Sequence, residues 1–442
     1  MVRSVATLVL GLSLAFGRLE GQAGSPAGAV PVDRLVARRE ALIARIQNGV
    51  AVLRSAEERS AEPPESAYPQ DAAFRQDNDF FYLTGLETHG SAIVLVARPG
   101  SPGEAHLFLP RRNPQAERWT GPMLGPGPEA AALTGIPGER IHPSDSAAAV
   151  IRRLLGSQGI LWIRHTSRDR RDSLLGGLEQ ERKGKPSEDL LPLLGALRLI
   201  KDADELRRLR RAVDVSAAGH LAAMREAKPG SWEYEIEAAA EAAFRRGGAE
   251  RLGYPSIVGS GINGTILHYD QNRRQAQAGE LVVMDMGAEF GYYTADLTRT
   301  MPVSGTFTPR QRALYALVLG TQQAAMDSVR PGTTIGRLTQ IARQYMDQHS
   351  GELCGGQSCS RYFIHGLSHW VGMDVHDVGS YSTPLAAGMA FTIEPGIYIP
   401  AEGVGIRIED VVLVTATGYE NLSKGLARTA EEVERVMAGG RD

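Results

Sequence analysis

The sequence is short of cysteine, of net charge and of long apolar runs. Only two cysteines occur in 442 residues. Cys354 and Cys359 enclose Gly355-Gly356-Gln357-Ser358. They can close a small disulfide loop in an exported chain or stay as two thiols, because spacing alone fixes no geometry. Formal net charge is −3, so no overall basic field gathers nucleic acid or holds the chain on an anionic membrane. The Arg-rich residues 168–171 read as a solvated face. The apolar run at residues 5–17 is thirteen long, too short to span a bilayer as a helix. Arg3 before it and Gly21-Gln22-Ala23 after it give the layout of a secretory signal peptide. No cysteine follows that run, which argues against a lipid-anchored form. Residues 1–23 are therefore set apart from the fold. The mature chain is expected to be exported, periplasmic or secreted, with no membrane attachment after cleavage.

The remainder is ordinary globular material, 43% hydrophobic and 22% charged, long enough for two or three domains with ample core. Apolar spacing predicts a helix over Val32–Ile46 and strands at 49–53, 80–85 (FFYLTG), 91–97, 106–109 and 160–163, with a helix at 147–155. An acidic, proline-containing loop runs to about residue 70. The alternation predicts a smaller α/β domain over 24–175, without a compact set of metal-type ligands. Charged, glycine-containing sequence marks 176–200 as the join. Asp202 then reads as the N-cap of a helix carrying Leu206, Leu209, Val213 and Leu221 on one face. Further helices are expected at 231–246, from Thr308-Pro309, from Thr333-Thr334 and at 429–437. Strands are expected at 281–300, 390–394 and 405–414. Two helices, strands, two helices, strands: residues 201–442 read as a duplicated α+β domain whose halves face one shared site.

Residues 281–300, LVVMDMGAEFGYYTADLTRT, predict a β-hairpin. With Phe290-Gly291 as the turn, Asp285 and Asp296 stand directly opposite on one face, where Cβ atoms lie roughly 4.5–5.5 Å apart. Carboxylates that close repel unless a proton or cation lies between them. Gly259 to Gly264 match G-x-G-x-x-G, but Thr265-Ile266-Leu267-His268-Tyr269 reads as β-like rather than as the helix a dinucleotide loop must open. HGLSHWVGMDVHDVG places His365, His369 and His376 among glycines and valines that favour loop and strand over a helical zinc motif. FTIEPG ends a strand on Glu394. GIRIEDVVLV alternates Ile406 and Ile408 against Arg407 and Glu409. Asp285, Asp296, His369, Glu394 and Glu409 are mostly hard oxygen ligands, suited to Mn²⁺, Mg²⁺, Fe²⁺ or Co²⁺ rather than to a thiolate-type zinc site. Four carboxylates balance two divalent cations, the inventory of a two-metal hydrolase.

These motifs, in this order, resemble the pita-bread metallopeptidases, and among them the Xaa-Pro aminopeptidases (aminopeptidase P). The resemblance spans nearly the whole mature chain. It includes FRQDNDFFYLTG at 74–85 for an N-terminal domain of that type and LRLIKDADELRRLRRA at 197–212 for the start of the catalytic domain. It implies a pita-bread catalytic domain with two metal ions, commonly manganese, on Asp285, Asp296, His369, Glu394 and Glu409. It implies release of the N-terminal residue from peptides with proline second, by attack of a metal-bridging hydroxide. By the same resemblance His268, His365 and His376 line the substrate site. His376 would serve the oxyanion or a proton shuttle, His365 the proline side, and Arg407 the ligand Glu409 or nearby substrate. Glu394 would take the proton from the attacking water. A homo-oligomer, dimer or tetramer, is implied too, with the N-terminal domain capping a neighbour's site and Trp119 contributing to the cap.

The chain departs from the family pattern in three places: Val411 where many relatives carry a second aspartate, the Cys354–Cys359 segment, and the export signal. The nearest alternative is an Xaa-Pro dipeptidase (prolidase), which shares the fold and all five ligands. A non-catalytic or creatinase-like pita-bread protein would lack some of them.

Overall fold

A computed structural model describes residues 27–57, 74–156, 159–182, 184–185 and 187–439. The expected signal segment 1–23 and most of the acidic loop before residue 70 lie outside the described residues. The first domain is built on strands β1 (Gly49–Arg54), β2 (Ala92–Ala97), β3 (Glu104–Leu109), β4 (Ile141–Pro143), β5 (Leu161–Ile163) and β6 (Glu188–Asp189). They form a mixed sheet in the order β4-β3-β2-β1-β5-β6. Side chains alternate faces along β1, and both faces are apolar. Ala51 and Leu53 pack with Leu35, Leu42 and Ile46 of the helix Val32–Ile46. Val50 and Val52 pack with Ile151 and Leu155 of the helix Ala147–Leu155. A strand buried on both faces reads as a continuous hydrophobic run, and helices must cover each side.

FFYLTG departs from expectation: Asn78–Thr84 is a helix. The Asp77 side chain caps its first turn by accepting from the Phe80 N–H, and Gly85 closes it with φ 67°. Asp79, Phe80, Phe81, Tyr82, Leu83 and Thr84 are all buried, so no polar stripe reveals the helical period and β-favouring aromatics mislead. Residues 176–200 also hold regular structure. The helix Ser173–Glu181 runs into it, strand β6 and the helix Leu191–Arg198 fall within it, and β6 completes the first sheet.

The second domain opens with the helix Ala203–Glu226, which Asp202 and Glu205 fix with a reciprocal capping box. It packs on the helix Glu233–Arg246, as the helix Pro309–Met326 packs on Ile335–His349. Strands follow each pair. The first set is β7 (Arg251–Leu252), β8 (Ile257–Ser260), β9 (Leu281–Asp285), β10 (Ala288–Phe290), β11 (Tyr293–Thr294) and β12 (Thr298–Pro302). The second is β13 (Ala390–Ile393), β14 (Gly396–Ile399), β15 (Val404–Arg407), β16 (Asp410–Val414) and β17 (Tyr419–Asn421). Sheets β12-β9-β8 and β13-β16-β17 belong to different halves, and a bridge between Thr298 and Glu409 joins them. The site sits at that seam. The helix Ala430–Ala438, capped by Thr429, closes the described chain.

Three local expectations are corrected. The hairpin turns at Gly291-Tyr292, not Phe290-Gly291: Phe290 pairs with Tyr293. Both turn residues have positive φ, 57° and 71°, as a type I′ turn needs. The strand predicted over 405–414 is two strands in different sheets, broken at Ile408-Glu409. Residues 261–265 form a 3₁₀ turn rather than leading into a β-like run, and no α-helix follows. The glycine-rich stretch is still no dinucleotide loop. Finally, Cys354 and Cys359 are joined as a disulfide.

Candidate metal centre and active site

The true register moves the hairpin by two residues, so Asp285 faces Thr298 across the ladder and not Asp296. A shift of two preserves the face, since side chains alternate with period two. Asp285 and Asp296 therefore still point the same way. A single hydroxyl ties them: Tyr254 lies 2.7 Å from Asp285 Oδ1 and 2.6 Å from Asp296 Oδ1. Arg407 fixes the other Asp285 oxygen, donating from Nη2 to Oδ2 at 2.5 Å.

The second half of the domain brings the remaining groups. His369 Nε2 lies 3.1 Å from Asp296 Oδ2, 3.3 Å from Glu394 Oε1 and 3.9 Å from Glu409 Oε1. Its Nδ1 faces the Trp370 carbonyl at 3.1 Å. Donation there places the proton on Nδ1 and leaves the Nε2 lone pair for a metal. Glu409 Oε2 accepts from Thr298 at 2.6 Å, and Glu394 Oε1 from Thr392 at 3.0 Å. Thr392 also holds the loop, accepting from the His369 N–H.

Whether these residues fit a cation can be judged from their own charge balance. Ligand atoms of Asp296, His369 and Glu409 converge to within 4.8 Å of one another. Glu409 Oε1 is buried with no hydrogen-bond partner among the described residues, a costly state that a cation would relieve. Burial, then the neighbouring Asp285 and Glu394 charges, pushes the Asp296 carboxyl well above the usual range. Burial, then Asp296 and Asp285, does the same to Glu409. Glu394 rises to about 8 through burial and then Glu409. Burial raises Asp285 also, but Arg407 and the Tyr254 hydroxyl outweigh it and hold it low. Crowding thus favours the protonated form of three of the four carboxyls, a preference that divalent ions would reverse. The donor set fits hard divalent cations.

These groups open on a cavity of about 310 Å³, lined also by Tyr254, His268, Val375 and His376. The His376 ring lies 4.1 Å from that of His369, centroid to centroid. Burial, then His369 and His268, lowers its pKa. His365 Nδ1 lies 3.8 Å from Glu394 Oε2, and His365 joins Arg407 through Tyr398: its hydroxyl is 2.8 Å from His365 Nε2 and 3.0 Å from Arg407 Nη1. Burial and then Arg407 push His365 down to about 4. Arg407 does not touch Glu409; its contact runs through Thr298 Oγ1, 3.1 Å from Nε. Tyr254, Thr298, Thr392 and Tyr398 went unread in the sequence. Thr298 and Thr392 stand two residues from Asp296 and Glu394, and that spacing could have found them. For Tyr254 there was no local signal.

Residues 207–416 match metallopeptidase family M24, and residues 35–162 match the N-terminal domain of aminopeptidase P. The Xaa-Pro aminopeptidase of Escherichia coli K12 is 34% identical over 435 residues, 91% of this chain and 97% of that one. That of Haemophilus influenzae is 33% identical over 92% of this chain and 98% of its own. Among solved structures, zinc-substituted E. coli aminopeptidase P with product superposes with a TM-score of 0.86 at 32% identity. It covers 94% of this chain and 100% of its own.

Proposed function

The chain belongs to metallopeptidase family M24 and is a metal-dependent exopeptidase of the Xaa-Pro aminopeptidase kind, and we propose that two divalent ions, manganese in the first instance, serve its cleavage before a second-position proline. Asp285 and Asp296 would hold one ion, and Asp296, His369, Glu394 and Glu409 would complete the pair. The ions supply Lewis acidity and bring the pKa of bound water to roughly 7. The protein's own groups do the rest. Tyr254 and Arg407 keep the Asp285 carboxylate in one orientation. Thr392 occupies Glu394 Oε1, leaving Oε2 to take a proton from the attacking water and return it to the departing proline nitrogen. His268 and His376 flank the space where the substrate carbonyl would lie. The substrate's free amine would bind near one of the ions, which would restrict cleavage to the chain end.

The observation that carries this reading is the meeting of Asp285, Asp296, His369, Glu394 and Glu409 at the seam between the two halves. Xaa-Pro-Xaa tripeptides and Xaa-Pro dipeptides should be offered to purified protein of measured metal content. Tripeptide turnover that chelation removes and Mn²⁺ restores is expected. Turnover of dipeptides alone would make the protein a prolidase instead.

Export is a further part of the proposal. The Arg3–apolar–Gly-Gln-Ala layout supports it, as does a disulfide suited to an oxidising compartment. Mature protein beginning after about residue 23 in the extracytoplasmic fraction is the expected result. A homo-oligomer is proposed as well, supported by Trp119, which is 91% exposed on the short helix Glu117–Thr120. Light scattering of wild type and Trp119→Ala tests it; a monomeric wild type would remove it.

A further inference from the structure

The FRQDND stretch of the first domain lies outside the cavity, yet it reaches the loop that carries His369 and His376. Arg75 and Asn78 both donate to the Met373 carbonyl, at 3.1 and 3.3 Å. Asp79 reaches the same loop through an arginine. Arg198, at the end of the helix Leu191–Arg198, donates to Asp79 Oδ1 at 2.7 Å and to Asp377 Oδ1 at 2.6 Å. Lys201 holds the other Asp377 oxygen at 3.1 Å, and Arg164 the other Asp79 oxygen at 2.8 Å. Asp79, Arg164, Arg198, Lys201 and Asp377 are all at least nine-tenths buried. Four charged contacts so enclosed are not solvated decoration.

The far end of this chain of contacts is the active-site loop itself. Asp377 follows His376, and its N–H donates to the Trp370 carbonyl at 2.8 Å. That carbonyl also meets His369 Nδ1. Fixing Asp377 therefore fixes the closure of the 370–377 loop, and with it the His376 ring that stands edge-on to His369. The site already described explains none of the five buried charges, since none of them lines the cavity.

We propose that Arg75, Asn78 and Asp79 of the first domain, with Arg198, act as positioning residues that hold the 370–377 loop so that His376 faces the substrate carbonyl. This rests on the functional reading above only for the role of His376. The first domain is then a working part of each catalytic site through its own chain, whatever the oligomeric state.

Two measurements test it. Hydrogen exchange, which needs no turnover, should show amides of 370–378 exchanging at least about tenfold faster in Asn78→Ala and Asp79→Asn, with the helix Pro309–Met326 unchanged. The second is a cycle against His376→Ala, read as kcat on an Xaa-Pro tripeptide at saturating metal. Each variant should lower kcat roughly ten- to hundredfold, the scale of a misplaced catalytic group, with KM moving less. In the His376→Ala background the same change should cost less than about twofold. Asn78→Ala, which leaves the buried charges intact, keeps the test open if Asp79→Asn fails to fold. Unchanged exchange in the loop, or equal kcat losses in both backgrounds, would overturn the proposal. A wild type with no tripeptide turnover counts against the functional reading instead, and hydrogen exchange then decides the loop on its own.

Discussion

Tyr254 shows how much a single side chain decides at this site. Its hydroxyl is within hydrogen-bond distance of two carboxylates at once, and burial, then Asp285 and Asp296, raises its pKa well above the ordinary phenol value. It stays protonated and keeps donating. Tyr254→Phe removes the tie while preserving the ring, so metal affinity or kcat should fall roughly 10–100-fold, the usual cost of losing a partner to a ligand. Calorimetric Mn²⁺ titration beside steady-state kinetics would read both. A second prediction concerns the stripped protein. Glu394, pushed up to about 8 by burial and then Glu409, sits above its unfolded value, and Asp296 and Glu409 shift the same way. A raised folded-state pKa gives stability that is full below the ordinary carboxylate range and is lost as pH rises through the folded value. Chelated protein should therefore melt progressively lower between about pH 5 and 9, and Mn²⁺ should restore more at pH 8 than at pH 5. A melting gap between loaded and stripped protein that stays constant with pH would contradict it.

Among the elements, the hairpin shows what the sequence could and could not tell. Reading Asp285 and Asp296 on one face needed only the two-residue period, which survives the register shift. Placing the turn needed the tertiary surroundings: Gly291 takes the left-handed φ of a type I′ turn, and an added Cβ there would lie 2.5 Å from Arg208 and 2.6 Å from Ala27. Gly291→Ala should cost roughly 1–2 kcal/mol from the backbone alone. A lower denaturation midpoint with unchanged slope is the expected signature. The ligands were legible for the same reason as the caps at Asp202, Thr308 and Thr334: polar residues in set positions within apolar runs. The helix Asn78–Thr84 was not, because complete burial erased its period. Nor was the break at Ile408-Glu409, which the bridge to Thr298 in the other half imposes. Long-range partners such as Tyr254 and Arg198 leave no local pattern to read.

At the scale of the whole molecule, the two domains are joined by buried charge as well as by apolar packing. Asp79 and Asp377 are raised by burial, but the arginines and Lys201 around them bring both below the ordinary value. Asp410 is held low in the same way by Arg299 and Arg428, in the core of the second domain. A depressed folded-state pKa contributes stability that is present above the unfolded value near 3.8 and is lost as pH falls through the folded one. Acid should thus act on the interface and the catalytic core together. Burial of the partner arginines sharpens the loss, since each is left charged and unpaired once its carboxylate is protonated. Thermal unfolding followed from about pH 6 to pH 3 should show a falling midpoint for wild type. In Asp79→Asn the midpoint should start lower and fall less steeply, because one of the linked protons has been removed. Parallel curves for the two proteins would show that this aspartate does not couple protonation to the joining of the domains.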